Sequence, residues 1–92
     1  MWRVIWPRWV EKQLDRVPGH ILTKFHAWVP AIETVGLETV RKLPGFHDEP
    51  LKGARAGQRS VRLNRSYRVF YIEGRDGAIQ IVEVIEVNKH DY

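Results

Sequence analysis

The sequence contains no cysteine and no long apolar run. The first absence excludes a disulfide framework and a thiolate metal site, and it suits a reducing cytosol. No apolar run approaches the roughly 18–20 residues needed to span a bilayer. The N-terminal stretch MWRVIWPRW is too short and too charged for a secretory signal peptide. His20 and His26 are not spaced as paired ligands on one helix face. We therefore expect a cytoplasmic protein with no metal, no cofactor and no membrane segment.

Acidic residues are also absent from residues 52–68, although the chain as a whole has 11 of them. This segment carries six cations: Lys52, Arg55, Arg59, Arg62, Arg65 and Arg68. Its charge is therefore +6 against +4 for the whole chain, so the remaining residues sum to −2. A local excess of this kind is typical of a surface that binds a polyanion. A solvated basic face is the alternative.

The first half of the chain reads as one strand followed by helices. Trp2 to Trp6 has high β-propensity, and Pro7 suits the first position of a helix. Two apolar stripes with helical spacing follow, the first with Val10, Leu14 and Val17, the second with Ile21, Phe25, Trp28, Val29 and Ile32. We expect a kink or break at Pro30, a cap at Gly36 and a short helix over Leu37 to Leu43. The two main helices should pack as a hairpin.

The second half changes to a strand period. Strands are predicted over 59–63, 67–73 and 78–87, with a tight turn at 64–66 and a hairpin loop at 74–77. In the last strand Glu83 and Glu86 fall on opposite faces, so strict alternation does not assign its core face. The 92 residues thus predict a single α+β domain. Its two layers would be an N-terminal strand, a helical hairpin and a three-stranded antiparallel meander that completes one sheet.

Several side chains are suited to metal-independent cleavage of RNA, which needs a base, an acid and cations on the phosphate. His90 can serve either proton role. Tyr92 needs nearby cations to act as a base. Glu49 is a base or a residue that orients an arginine.

The phosphate-binding candidates are Arg62, Arg68 and Lys52. An arginine fork donates two parallel hydrogen bonds to phosphate, and lysine supplies a point charge. Further candidates for contact with RNA are Arg55, Arg59, Arg65 and Lys89. The tryptophans fit a core or a partner groove better than a base-stacking platform; they are Trp2, Trp6, Trp9 and Trp28.

Residues 43–92 carry a set of motifs that is specific only in combination. They are Glu49-Pro50-Leu51-Lys52-Gly53, the strand Ser60 to Asn64, the strand Tyr67 to Tyr71, and the tail His90-Asp91-Tyr92. Together they resemble the RelE/ParE superfamily of toxins from bacterial type II toxin–antitoxin modules. The resemblance is greatest to the RelE, HigB and YoeB members.

The resemblance implies a small α+β toxin that cleaves mRNA in the ribosomal A site without a metal. It implies that Arg68 contacts the scissile phosphate, with Lys52 and Arg62 in support. It also implies that Glu49, His90 and Tyr92 take part in proton transfer. The order His-Asp-Tyr departs from the His-Tyr and Asp-Tyr-His tails of relatives, which leaves base and acid unassigned.

The expected partners are the ribosome with its mRNA and a cognate antitoxin. Two alternatives remain at this point. ParE-like members share the architecture but inhibit DNA gyrase, and fold alone does not decide function. A non-catalytic basic module that binds RNA through counterion release is the third possibility.

Overall fold

A computed structural model describes residues 1–89 of the chain. The helices are α1 (Arg8–Leu14), α2 (Gly19–Val35) and α3 (Leu37–Arg41), and short 3-10 turns occupy Pro44–Phe46 and Gly53–Arg55. The strands are β1 (Trp2–Ile5), β2 (Glu49–Pro50), β3 (Arg59–Arg62), β4 (Tyr67–Asp76) and β5 (Ile79–Lys89). None of the helices in this part of the chain is long and apolar enough to cross a bilayer.

The strands form one sheet in the order β1-β5-β4-β3-β2. Strand β1 pairs in parallel with β5, and the other neighbours are antiparallel. The predicted α+β architecture, with an N-terminal strand and a three-stranded meander in one sheet, is therefore confirmed. Strand β2 was not predicted, because two residues are too few to show a period.

The two main helices each pack against a strand of the sheet. Helix α1 packs on β5, and α2 packs on β1 and α3. The predicted helical hairpin is thus part of the architecture, and the apolar stripes of α1 and α2 are buried in one core with the sheet. The core between the layers includes the fully buried Phe25, Trp28, Ile32 and Tyr71.

Pro30 does not break α2, which is continuous from Gly19 to Val35. A proline removes one backbone hydrogen bond, here to the carbonyl of His26 four residues earlier. Both residues are exposed, so water can solvate that carbonyl. Gly36 ends the helix as predicted, with φ of 88° and its N–H donating to the Ile32 carbonyl at 2.8 Å.

A bulge in β5 explains why simple alternation did not assign its faces. Val84 and Val87 are both buried although they are three residues apart. The register places Tyr71 opposite Val84 and Phe70 opposite Glu86. Ile85 is therefore the extra residue, and it shifts the alternation by one.

The hairpin between β4 and β5 is tighter than predicted. Residues 74–76 belong to β4, and Asp76 pairs with Ile79. Only Gly77 and Ala78 form the turn, so the predicted loop at 74–77 is wrong. The φ of Gly77 is 59°, as the first central position of a type II′ turn requires.

One tryptophan departs from the core prediction. Trp28 is buried, and Trp2 and Trp6 pack against the core, but Trp9 is 57% exposed. Its Nε1–H donates to the Ile85 carbonyl at 3.0 Å, beyond the point where β1 stops pairing with β5. Trp9 thus covers a free strand edge instead of filling the core.

Candidate functional site

The face of the sheet away from the core holds a group of polar side chains, which we call the open face. Arg62 lies opposite Arg68 in the β3–β4 register, and Asn88 lies opposite Arg68 in the β4–β5 register. Directly opposite residues of antiparallel strands share a face. The alternate residues Val61 and Val69 point into the core. The register therefore brings two of the predicted phosphate-binding arginines together.

Arg68 is the most enclosed cation of the group, with a side chain only 7% exposed. Its Nη1 donates to Glu49 Oε1 at 3.0 Å and to Ser60 Oγ at 2.9 Å. The side chain of Glu49 is 52% exposed, so this carboxylate lies at the solvent end of the cluster. A buried charge needs such partners to offset its desolvation.

The short strand β2 places Glu49 beside Arg68. Glu49 pairs with Ser60 of β3, and Ser60 in turn pairs with Phe70, two residues beyond Arg68. The Leu51 N–H then donates to the Gln58 carbonyl at 2.9 Å, which closes the loop of residues 51–58. The glutamate of one motif thus meets the arginine of another across two strands.

Arg55 holds that loop down on the open face. Its guanidinium lies 4.0 Å from the centre of the Phe70 ring. Its Nη2 contacts Glu86 Oε1 at 2.9 Å, and its Nε donates to Gln58 Oε1 at 2.8 Å. These contacts give Arg55 a structural role in the loop, and its binding to RNA stays a prediction.

Arg59 points to the other side of the sheet, since it lies opposite Tyr71. Its Nε donates to Asp48 Oδ1 at 2.6 Å, and the Tyr71 hydroxyl donates to the other oxygen of the same carboxylate. Arg41 Nε approaches Asp48 at 4.0 Å. Burial raises the pKa of Tyr71, and Asp48 beside it adds to that rise. Arg59 therefore offsets the charge of the buried Asp48 carboxylate. Its contact with RNA stays a prediction.

Lys52 and Arg65 are the exposed members of the basic segment. Arg65 lies at the tip of the β3–β4 turn, where Asn64 Oδ1 accepts the N–H groups of Ser66 and Tyr67 at 2.8 and 2.7 Å. Within residues 1–89, neither Lys52 nor Arg65 forms an ion pair with a carboxylate. These two cations are the best placed of the segment to meet an incoming polyanion.

The remaining predicted residues lie at the end of β5. Lys89 is opposite Tyr67, one residue from the Arg68–Asn88 pair. The predicted proton-transfer residues His90 and Tyr92 lie outside the described residues. The described part of β5 thus ends beside Arg68.

Sequence reasoning missed the residues that neutralise and support the cations. They are Asp48, Glu86, Gln58 and, as the hydroxyl that holds Arg68, Ser60. The alternation of Ser60 and Arg62 on one strand places the serine on the open face, and that signal was available. Glu86 faces the open face only because the bulge at Ile85 shifts the alternation of β5. No local sequence pattern indicates that position.

No protein-family model and no curated protein matches the sequence. Solved structures do match. A YoeB/ParE toxin from Agrobacterium tumefaciens aligns with a TM-score of 0.73 and 22% identity, over 97% of this chain and 99% of that one. A YoeB–YefM complex from Staphylococcus aureus aligns with a TM-score of 0.69 and 16% identity, over 99% of both chains.

An archaeal RelE–RelB complex from Pyrococcus horikoshii aligns with a TM-score of 0.68 and 20% identity. That alignment covers 96% of this chain and 93% of the other. The chain therefore has the fold of the RelE and YoeB toxins, as its motifs indicated.

Proposed function

We propose that this chain is the toxin of a type II toxin–antitoxin module, and that it acts as a ribosome-dependent, metal-independent endoribonuclease on mRNA. The observation that carries the proposal is the contact between Arg68 and Glu49. A fixed, nearly buried guanidinium touches a carboxylate that reaches solvent. Cation and proton acceptor are thus adjacent, as phosphate chemistry requires. The shared fold supports the same function.

The proposed reaction begins with attack of a ribose 2′-oxygen on the adjacent phosphorus. The bond from phosphorus to the 5′-oxygen breaks, which leaves a 2′,3′-cyclic phosphate and a 5′-hydroxyl. Arg68, supported by Arg62 and Lys52, stabilises the charge that develops on the phosphate. Glu49 and the tail residues His90 and Tyr92 share the two proton transfers.

Glu49 and an incoming phosphate would compete for the same guanidinium. A phosphate that takes the Glu49 position on Arg68 leaves this carboxylate without its hydrogen-bond donor. A carboxylate released in this way is a better proton acceptor. Binding of the substrate would therefore activate Glu49 at the 2′-hydroxyl.

The partners proposed are the ribosome with its mRNA in the cytoplasm and a cognate antitoxin. The ribosome is a polyanion, which the basic segment suits. Two of the structural relatives are complexes of a toxin with YefM or RelB. An antitoxin that covers the open face would block access to Arg68.

The test is translation in vitro with the purified protein, followed by primer extension on the mRNA. We expect discrete cuts that require ribosomes. Arg68→Ala should lower the cleavage rate at least 100-fold, because the cation acts on the transition state. His90→Ala should lower it as well. Arg75→Ala, which removes an exposed arginine at the far end of β4, is the control and should cut normally.

Cleavage that survives both Arg68→Ala and His90→Ala would contradict the assignment. Efficient cutting of free RNA would contradict dependence on the ribosome. Blocked translation without cuts would favour the non-catalytic RNA-binding module.

The YoeB/ParE relative keeps gyrase inhibition as the second candidate. Intact mRNA with normal translation, together with inhibited DNA supercoiling, would favour it.

A further inference from the structure

A second cation-lined feature lies at the turn end of β3, next to the Arg62–Arg68 pair. It is a cavity of about 200 Å³, lined by Lys24, Gly45, His47, Arg62, Asn64 and Arg65. Four of these residues carry ammonium, imidazole or guanidinium groups, and none carries a carboxylate. Drug-sized ligands need about 300–1,000 Å³. A small anionic group therefore fits this cavity in both size and charge.

Lys24 reaches the cavity from helix α2. Its Nζ donates to the Gly45 carbonyl at 2.6 Å and lies 5.1 Å from the centre of the Phe46 ring. Partial burial lowers the pKa of Lys24, because the charged form loses solvation. An anion in the cavity would oppose that shift. The contacts with the Gly45 carbonyl and the Phe46 ring hold the ammonium in place before any ligand binds.

Two loops complete the wall. His47 ends the Pro44–Phe46 turn with a left-handed φ of 45°, which few residues other than glycine adopt. On the other side, the Asn64 side chain fixes the turn that carries Arg65. The imidazole and the guanidinium therefore lie on short, constrained segments on either side of the cavity.

Arg62 connects the cavity to the open face. It lines the cavity, and its backbone lies opposite that of Arg68, at the roughly 5 Å spacing of paired strands. An RNA strand whose phosphate sits at Arg68 would therefore bring a neighbouring phosphate close to the cavity.

We propose that this cavity binds a backbone phosphate of single-stranded RNA, beside the phosphate held by Arg68. Lys24 and His47 are then RNA-binding residues in addition to the basic segment. The identity of the ligand rests on the proposed function. The binding itself does not require cleavage, so the two can be tested apart.

The probe is a short single-stranded RNA with 2′-O-methyl riboses, which keeps the phosphates and prevents cleavage. Its affinity for the full chain is measured against salt concentration. Each phosphate contact contributes about 0.7 to the slope of log affinity against log salt for single strands. Lys24→Gln should lower the slope by roughly that amount and weaken binding several-fold at low salt.

The companion variants separate binding from folding. Lys24→Arg should restore the slope, since it keeps the charge. His47→Gly removes the imidazole, suits the left-handed backbone, and should weaken binding while the protein stays folded. Lys12→Gln, on the exposed face of α1, is the matched control and should lower affinity less than Lys24→Gln.

Equal slopes in Lys24→Gln, Lys12→Gln and the unchanged protein would overturn the proposal. Saturable displacement of the RNA by inorganic phosphate would overturn the RNA assignment in favour of a free anion. Displacement by a polyglutamate peptide that itself depends on Lys24 would overturn it in favour of a protein segment.

The primer-extension assay distinguishes this proposal from the proposed function. Arg68-dependent cuts together with normal RNA binding by Lys24→Gln would refute the cavity and keep the nuclease. Loss of RNA binding by Lys24→Gln in a protein that never cuts would keep the cavity and refute the nuclease.

Discussion

At the scale of single residues, Arg68 shows how a cation can be nearly buried and still contact a carboxylate that reaches solvent. Its guanidinium has almost no contact with solvent, and its Nη1 donates to one carboxylate and one hydroxyl. If Arg68 binds the scissile phosphate as proposed, a charge fixed in this way needs little reorganisation when the transition state forms. The same burial makes the protein depend on the groups that hold the charge.

Ser60 should therefore contribute measurably to stability. It is fully buried, and its Oγ accepts a hydrogen bond from the charged Arg68. Ser60→Ala should lower the free energy of unfolding by about 1–3 kcal/mol, as measured by urea denaturation. Ser66→Ala is the control, because Ser66 is a half-buried serine in the β3–β4 turn, and it should change the free energy of unfolding by less than about 0.5 kcal/mol. Equal effects of the two variants would count against a specific role for Ser60.

The Tyr71 phenol should make the protein sensitive to alkali. Burial and the neighbouring Asp48 raise the pKa of Tyr71 above the usual value of about 10. The unfolded chain then loses this proton at a lower pH than the folded protein does. The contribution to stability is complete below about pH 10 and is lost as the pH rises above it.

Chemical denaturation at a series of pH values between about 8 and 11 measures this effect. Tyr71→Phe should show a shallower alkaline decline than the unchanged protein, though it is less stable at neutral pH because Asp48 loses a donor. The half-buried Tyr67→Phe is the control and should retain the decline. An unchanged alkaline slope in Tyr71→Phe would exclude this phenol as its source.

At the scale of elements, the sequence predicted what periodicity encodes and missed what tertiary pairing decides. The apolar stripes of α1 and α2 and the strands of the meander carry their periods in the sequence itself. Strand β2 is two residues long, and the Ile85 bulge is a change of phase set by the pairing with β4. The motifs predicted Arg68 and Glu49 as site residues, and the structure brings the two side chains into contact. Their contact depends on β2, which no local pattern marks.

Gly36 joins two elements at a place where only glycine fits. Its φ is 88°, and a Cβ there would lie 2.9 Å from Trp2 Nε1, between the end of α2 and strand β1. Gly36→Ala should lower the free energy of unfolding by about 1–3 kcal/mol, because backbone strain adds to the clash.

Thermal and urea unfolding of this variant would measure the loss. Gly45→Ala is the matched control, because its added Cβ meets nothing within 4 Å. It should stay within about 0.5 kcal/mol of the unchanged protein. Comparable losses of unfolding free energy in both variants would show that neither the positive φ of Gly36 nor the clash with Trp2 causes the destabilisation.

At the scale of the whole molecule, the positive charge of the basic segment is partly neutralised by carboxylates from other parts of the chain. Within residues 1–89, ion pairs with carboxylates from outside the segment join Arg55 to Glu86, Arg59 to Asp48, and Arg68 to Glu49. The sequence shows the excess of +6, but only the fold shows where it is offset. A polyanion that binds this surface therefore competes with the protein's own carboxylates.

Glu86 tests this competition, because it holds Arg55 on the open face. Glu86→Gln should tighten binding of single-stranded RNA at low salt, since Arg55 becomes available to a phosphate. The variant should also lose about 0.5–1 kcal/mol of stability, as expected for a partly exposed ion pair.

Glu83→Gln is the matched control, on the same strand and with the same change in net charge. A gain in affinity equal to that of Glu83→Gln would mean that overall charge, and not the release of Arg55, controls binding. A larger gain for Glu86→Gln, abolished when Arg55→Gln is added, would place the competition at this ion pair.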